Sequence, residues 1–360
     1  MDIKLVLNNW DVQSFQQKLF DWYDKNKRDL PWRKTKEPYH IWVSEIMLQQ
    51  TRVEAVKEFY LRFIKELPTV QDLANVKEDK LLKLWQGLGY YNRAKYMQQT
   101  AQIIVKELDN KFPTTKEKLE KLKGIGDYTS SAIASIAFDE SVAVVDGNIL
   151  RVFARIFQIS EDISTQKTKQ NFSFLAQKLL PNNRVGDFNQ AIMELGAIIC
   201  LPNGIPFCEK CPLKEICLSN QNKTQLEFPI KTGKKQRAIE NKTIFIIQFG
   251  NEFLLHKRTN ETLLANLWEF HNQKDFLSIQ KAKQYLQRLG FEVKNIVKLT
   301  SAKHIFTHKE WHMTGYYVNV SNKINLCSEC VYATKEQIKE YYSIPTAFSF
   351  YKKFIENFIE

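Results

Sequence analysis

Apolar residues recur at helical spacing through the first two hundred positions of the chain, and short strand-like runs begin beyond about Leu226. Phe15, Leu19 and Trp22 mark one face of a first helix, with Ser14 and Gln17 at capping-box spacing before it and Asn26-Lys27-Arg28 at its end. Tyr39–Gln50 reads as a second helix, in which Ile41, Trp42, Ile46 and Leu48 surround the carboxylate of Glu45. Val53–Leu67, stopped by Pro68, is a third, and Leu81–Trp85 leads into the glycine-flexed aromatic turn Gly87-Leu88-Gly89-Tyr90-Tyr91. Thr114 and Glu117 repeat the capping-box spacing, and Leu119 and Leu122 give a short apolar face. Gly124-Ile125-Gly126 then turns the chain into a helix carrying Ala132, Ile133, Ile136 and Ala137. The two glycines predict left-handed or tight backbone that a side chain would obstruct, and free amides at a helix N-terminus suit a phosphate. For a lone Gly-x-Gly, an ordinary helix-turn-helix corner is the favoured reading.

Val145-Asp146-Gly147-Asn148 precedes a helix over Ile149–Phe157. Either Asp146 or Asn148 suits the cap; with Asn148 in that place, Asp146 is available for chemistry. A further helix spans Phe188–Ile199, so the first two hundred residues are predominantly α. Phe228–Arg237 is a basic, proline- and glycine-punctuated linker. Beyond it, Thr243–Phe249 and Phe253–His256 predict a strand pair around Gly250-Asn251. A helix over Ile279–Leu289, strand-like runs over Val293–Leu299 and Met313–Val320, and a terminal helix over Phe348–Phe358 complete an α+β half. The expected domains are 1–225 and 241–360, joined by the linker 226–240; internal repeats and low-complexity tracts are absent from the sequence.

Charge narrows the partners. A formal net charge of +12 over 360 residues favours an anionic partner, nucleic acid first and membrane surface second. No apolar run is long enough to span a bilayer, and Met1-Asp2-Ile3-Lys4 lacks the form of a secretory signal, so a soluble intracellular protein is expected. Of six cysteines, Cys200, Cys208, Cys211 and Cys217 crowd into one segment, which in a reducing compartment reads as a metal centre. Four thiolates suit tetrahedral Zn²⁺ or a [4Fe–4S] cube. Cys327-x2-Cys330 has no second pair near it and is expected to be structural and unligated.

The hairpin with Asp146 resembles the helix-hairpin-helix DNA glycosylases of the endonuclease III superfamily. Pro31-Trp32-Arg33, Trp42–Thr51, Gly87–Tyr91, Asp146-Gly147-Asn148 and Phe188-Asn189-Gln190-Ala191 occur in the order of the motifs of one branch, the MutY family of adenine glycosylases. The cysteine spacing resembles that family's cluster loop too, with Leu201 through Phe207 making the first gap one residue longer than usual. Lys123 stands where the family usually has proline.

That resemblance implies a two-domain architecture: a mainly α helix-hairpin-helix glycosylase domain with an iron–sulfur loop, then an α+β Nudix-like domain. It implies a [4Fe–4S] cluster on Cys200, Cys208, Cys211 and Cys217. Glu45 would protonate a flipped adenine from an apolar pocket, and Asp146 would stay ionised to stabilise an oxocarbenium-like sugar. Tyr128 and Asn148 belong to the same catalytic group, with Trp32, Arg33 and Gln190 lining the adenine pocket. Gln49, Gln50, Thr51, Leu88, Tyr90, Gly124, Gly126 and Thr129 would contact DNA, Gln50 and Tyr90 filling the vacated stack. Bifunctional relatives carry a lysine where this chain has Tyr128, so the resemblance implies a monofunctional hydrolase.

Phe306-Thr307-His308 resembles the Phe-Ser-His loop that checks for 8-oxoguanine opposite the adenine. No Gly-x5-Glu-x7-Arg-Glu-x2-Glu-Glu pattern is present, so pyrophosphatase activity is not expected. The implied partner is duplex DNA with A opposite 8-oxoguanine or G, bound by a monomer in a bacterial cytoplasm at the nucleoid. A thymine-mismatch or oxidised-pyrimidine glycosylase, and a non-catalytic DNA-binding module on the same hairpin, are the rival readings.

Overall fold

The computed structural model describes residues 7, 10–233, 236–259 and 263–357. Met1–Lys4, Lys234 and Lys235 of the linker, and Phe358 of the terminal helix lie outside the described residues. The chain divides into two compact units, 1–75 with 96–233 and 76–95 with 234–360. Val76–Lys95, which the sequence keeps inside the first domain, thus clusters with the second unit.

The first unit is helical. Val12–Asn26 buries Phe15, Leu19, Trp22 and Tyr23 in a core shared with Phe153, Phe172, Phe188 and Leu195. Asp11, not Ser14, caps this helix, accepting from the Ser14 amide at 2.9 Å; the helix begins at Val12, which puts Ser14 inside its first turn. Pro38–Leu48 has Pro at its start and packs on Asp127–Phe138 and Val53–Glu66. The helix Lys116–Glu120 begins after Thr115, with no side-chain cap; its first amide is taken by Glu140 at 2.6 Å, so the Thr114–Glu117 capping box does not form.

The corner between Lys116–Glu120 and Asp127–Phe138 treats its two glycines differently. Gly124 has φ +79°, and a Cβ there would stand 2.7 Å from the Cβ of Tyr96. Gly126 has φ −95° and open space where a Cβ would go, so the expected strain at this second glycine is absent. Only Gly124 is sterically required.

Asp127–Phe138 carries serines that return their hydroxyls to its own backbone: Ser131 donates to Asp127 O at 2.7 Å and Ser135 to Ser131 O at 2.8 Å. Satisfied small residues allow close approach. A Cβ on Gly186 would meet Ser135 O at 2.7 Å, and one on Gly196 would meet Asn148 Cβ at 2.7 Å. The helix Val185–Ile198 therefore lies tight against both Asp127–Phe138 and Gly147–Ile156. Asn189 locks the first contact, donating to Ser135 Oγ and Val142 O at 3.0 Å each.

The second unit is a six-stranded mixed sheet in the order β4-β5-β1-β3-β2-β6. The strands are β1 Ala238–Phe249, β2 Glu252–Lys257, β3 Trp268–Lys274, β4 Val293–Ile305, β5 Lys309–Val320 and β6 Cys330–Thr334. β1 and β5 are parallel, with Ile244 opposite Gly315; the other pairs, including the β1–β2 hairpin, are antiparallel. Both faces are covered, Phe245, Ile247 and Val318 by Leu286 of the helix Ile279–Arg288, and Ile244, Ile246 and Trp311 by Phe348 and Tyr351. Double coverage explains the unbroken apolar run of Ile244–Ile247.

β1 starts at Ala238, inside the segment expected to be linker, and β3 and β6 are strands that the sequence reading lacks. β4 and β5 run on to leave Phe306-Thr307-His308 as a tight turn, closed by the Phe306 amide on Lys309 O at 2.8 Å. Cys327 and Cys330 are joined to each other by a disulfide. Val76–Lys95 is tied into this unit by Asn266 on Glu78 at 2.7 Å and by Gln86 on Ile344 O at 2.9 Å. Among the described residues, no helix is long and apolar enough to cross a membrane.

Gly124→Ala should lower stability by about 2 kcal/mol, from left-handed strain plus overlap with Tyr96. Gly126→Ala should lose under about 1 kcal/mol. Denaturant midpoints of the two variants measure this, and equal losses would remove the steric distinction.

Candidate active site

One cavity of about 420 Å³ in the first unit gathers the residues expected to be catalytic and those expected to line the adenine pocket. Several elements contribute them. Glu45 projects from the middle of Pro38–Leu48, Tyr128 from the first turn of Asp127–Phe138, and Asp146 from the cap of Gly147–Ile156. Gln190 and Glu194 stand one turn apart on Val185–Ile198, and Trp32 and Arg33 form the short 3₁₀ turn Pro31–Arg33. Trp32 is buried edge-on against Tyr60 at 5.4 Å.

Glu45 is 5 % exposed, and Tyr128 donates its hydroxyl to Oε2 at 2.6 Å. Burial pushes the carboxyl up to about 7; the Asp146 charge adds to this, and the Tyr128 hydrogen bond and Arg33 oppose it. The Tyr128 hydroxyl is itself raised, first by burial and then by the two carboxylates, so it stays a donor. Glu45 is thus poised to exchange a proton near neutrality.

Asp146 is the helix cap, contrary to the assignment of Asn148: its Oδ1 accepts from the Ile149 amide at 2.8 Å. The chain enters the helix at Gly147, which puts Asn148 inside the first turn, donating to Asp146 Oδ2 at 2.6 Å. Capping and chemistry are compatible in one carboxylate. Burial raises Asp146, and the Ile149 and Asn148 donors with Arg151 hold its charged form against that. Arg151 in turn donates to Asn148 Oδ1 at 2.9 Å and to Cys200 O at 2.8 Å.

Two residues of the pocket escaped the sequence reading. Glu194, 1 % exposed, accepts from Arg28 and Arg33, and burial, which alone would raise it, is overcome by these donors to hold it at about 2. The available signal was an acid four residues beyond Gln190 in an otherwise apolar helix. Arg28 looked like a helix-ending charge. Arg33 also donates to Gln190 Oε1 at 3.2 Å, so the three are joined.

The expected DNA contacts divide. Gln49, Gln50 and Thr51 line the mouth of the cavity, with Gln50 exposed at φ +58°. Thr129 is buried and receives Gln49 Nε2 at 3.3 Å, a support for the glutamine. Gly124 and Gly126 are exposed on the hairpin. In the second unit, Leu88 is buried while Tyr90 is 47 % exposed, under the Arg93 guanidinium, with its hydroxyl 2.8 Å from Thr307 Oγ1. Thr307 and His308 are exposed at the turn, and Phe306 folds back on Trp311 with ring centroids 4.8 Å apart. Phe306 is partly buried against the core of the second unit.

Cys200, Cys208, Cys211 and Cys217 line a second, smaller cavity of the first unit with Val152, Ile156 and Ile199. Among the described residues, no three His, Cys, Asp or Glu side chains are grouped to hold a metal ion. Four thiolates suit either a tetrahedral ion or an iron–sulfur cluster. Arg155 donates to Cys200 Sγ at 3.3 Å and Gln225 to Cys208 Sγ at 3.8 Å, contacts that suit thiolate charge.

Residues 43–178 match the HhH-GPD superfamily base excision DNA repair protein family, and residues 243–352 match the NUDIX domain. The adenine DNA glycosylase of Buchnera aphidicola subsp. Schizaphis graminum is 36% identical over 86% of this chain and 89% of its own length. The chain belongs to the adenine DNA glycosylase family. The family's Homo sapiens member is 35% identical over 83% of this chain and 65% of its own length; the Arabidopsis thaliana member is 37% identical, and the match spans only 57% of it. A solved thermostable thymine-DNA glycosylase aligns over 60% of this chain and 99% of its own, with TM-score 0.55 and 29% identity. Endonuclease III in a non-covalent DNA complex, at 19% identity and TM-score 0.51 over 60% of this chain and 99% of its own, shares the fold. The adenine DNA glycosylase family thus accounts for both units, the helical one with the cavity and the NUDIX one with the sheet.

Tyr128→Phe removes the donor that favours the Glu45 carboxylate, so Glu45 should titrate above its present value of about 7. Carboxyl ¹³C shifts followed against pH report this directly. A downward move would mean that Tyr128 does not favour the charged form.

Proposed function

We propose that the chain hydrolytically removes adenine opposite 8-oxoguanine, or opposite G, from duplex DNA without cutting the strand. The observation that carries this reading is the pairing of a buried Glu45, titrating near neutrality, with a hydrogen-bonded Asp146 across one cavity. Adenine leaves poorly until a ring nitrogen is protonated. Glu45 gives its proton to that nitrogen, and the C1′–N bond breaks with its electron pair going to the base. The Asp146 carboxylate faces the resulting sugar cation. Water then adds at C1′ and its proton returns to Glu45. Tyr128, with no amine to form a Schiff base, supports a monofunctional reaction.

Arg33 and Gln190, already hydrogen-bonded to each other, offer polar edges to the flipped base, and Trp32 an apolar wall. On the second unit, exposed Thr307, His308 and Tyr90 are suited to reading the opposite base, with Tyr90 and Thr307 sharing a hydrogen bond. The exposed hairpin at Gly124 and Gly126 would hold phosphate, and the net charge of +12 suits duplex DNA. A [4Fe–4S] cluster would be held by Cys200, Cys208, Cys211 and Cys217, with Arg155 offsetting its negative charge. It would tie the loop to the helix Val185–Ile198 and fix the DNA-facing surface.

Duplexes with A opposite 8-oxoguanine, A opposite G and T opposite G test the reading. Adenine release from the first two and no thymine release from the third is expected. Glu45→Gln and Asp146→Asn should each abolish release while duplex affinity is kept; turnover by either variant would reassign the chemistry.

Replacing Thr307 and His308 together by alanine should narrow the preference for A opposite 8-oxoguanine over A opposite G, by about 0.5–1.5 kcal/mol for each lost hydrogen bond. Single-turnover cleavage itself should persist. Undiminished discrimination would place lesion reading elsewhere, at Gln50 and Tyr90.

A further inference from the structure

Resting on the adenine-release reading, we propose that Glu194 is a positioning residue that offsets one of the two positive charges of Arg28 and Arg33, and thereby lets Glu45 keep its proton at neutral pH. The geometry is that of a clamp. Glu194 Oε1 accepts from the Arg28 amide at 2.9 Å and from Arg28 Nε at 2.7 Å. Oε2 accepts from Arg28 and Arg33 guanidinium nitrogens, both at 2.8 Å. Arg33 spends its other donors on Gln190 Oε1 and on Arg28 O, each at 3.2 Å, so its plane is fixed beside the pocket.

Electrostatics makes this more than a structural tie. Glu45 faces Tyr128 and Asp146 from the hairpin and the neighbouring cap, and Arg33 from the 3₁₀ turn. Arg33 favours the ionised, inactive form of a general acid, and two guanidiniums side by side would do so more strongly. Glu194 supplies the compensating charge from within the same hydrogen-bonded group. The other ionisable groups near the clamp are Glu54 toward Arg28, and Tyr23, which faces Arg33 and Glu194 and also Asp187 and Asp24. Arg151, on the helix packed against Val185–Ile198, is bound to Gly196 O at 2.8 Å and to the Asp146 side of the pocket through Asn148. None of these reproduces the bidentate contact.

The sign is fixed by the role. A general acid works while protonated, so single-turnover adenine release falls as pH rises through the Glu45 titration. Glu194→Gln keeps the shape and removes the charge; the falling limb should move to lower pH by about 0.5–1 unit, a loss of about three- to tenfold on the alkaline side. The acidic plateau should change little. Arg28→Gln leaves one cation and one anion, and its limb should move to higher pH, which tests the idea even where Glu194→Gln does not fold. In Arg28→Gln/Glu194→Gln the charge balance is restored and the limb should return toward the parent's.

A limb that stays in place in both single variants, or a rate lowered equally at every pH, would overturn the proposal. Circular dichroism and duplex affinity accompany each profile. Parent protein that releases no adenine would instead overturn the functional reading on which this rests.

Discussion

Three carboxylates share one cavity of the first unit, and taking an ionised carboxylate out of water is among the largest penalties a protein interior can impose. The three are compensated differently. Glu194 receives two guanidiniums and stays ionised; Asp146 receives the end of a helix, an asparagine and the more distant Arg151. Glu45 receives one phenol hydroxyl, which is too little to cancel its burial. A proton is the remaining way to relieve the charge on Glu45. Division of labour between chemically similar groups follows from unequal donor supply.

The unequal supply depends on how closely three helices approach. Gly186 lies on the Ser135 carbonyl and Gly196 on the Asn148 side chain, so Val185–Ile198 presents Gln190 and Glu194 to the cavity between Asp127–Phe138 and Gly147–Ile156. A side chain at either glycine would push the helix away by the thickness of a methyl group. Both Arg33 contacts, to Gln190 and Glu194, would lengthen together. Packing at residues remote from the chemistry thus sets the hydrogen bonds that tune it.

How much of this was legible in the sequence depends on whether a signal was local. Glu45 stood out because an acid among apolar residues of one helix is a local signal, and the helical periodicity of the first unit and the β1–β2 hairpin were readable because they too are local. Helix caps were not. Asp11 displaced Ser14, and Asp146 displaced Asn148, since a shift of two or three residues in where the chain enters the helix changes which side chain reaches the free amides. β3 and β6 were missed because their short runs, Trp268–Lys274 and Cys330–Thr334, mix polar and apolar residues and are held by partners distant in sequence. Glu194 and Arg28 were missed for that reason too: their partnership spans 166 positions.

The division of the chain carries a similar lesson for the second unit. Val76–Lys95 is helix-forming by its own pattern and continuous with the first unit in sequence, yet its charged residues find their partners in the later half: Glu78 in Asn266, Asp79 in Lys257, Lys83 in Tyr342 O. Its turn therefore belongs to the body that carries Thr307, and the Tyr90–Thr307 hydrogen bond lies within one packed unit. Arg93 strengthens that turn from beneath, donating to the carbonyls of Leu88 and Gly89 while its guanidinium lies over the Tyr90 and Trp85 rings. An aromatic that must stay exposed at φ +48° is held there by these neighbours. On the proposed lesion reading, preorganisation of this exposed polar pair is what lets each hydrogen bond to a partner base add selectivity, because the ordering has been completed before the partner arrives.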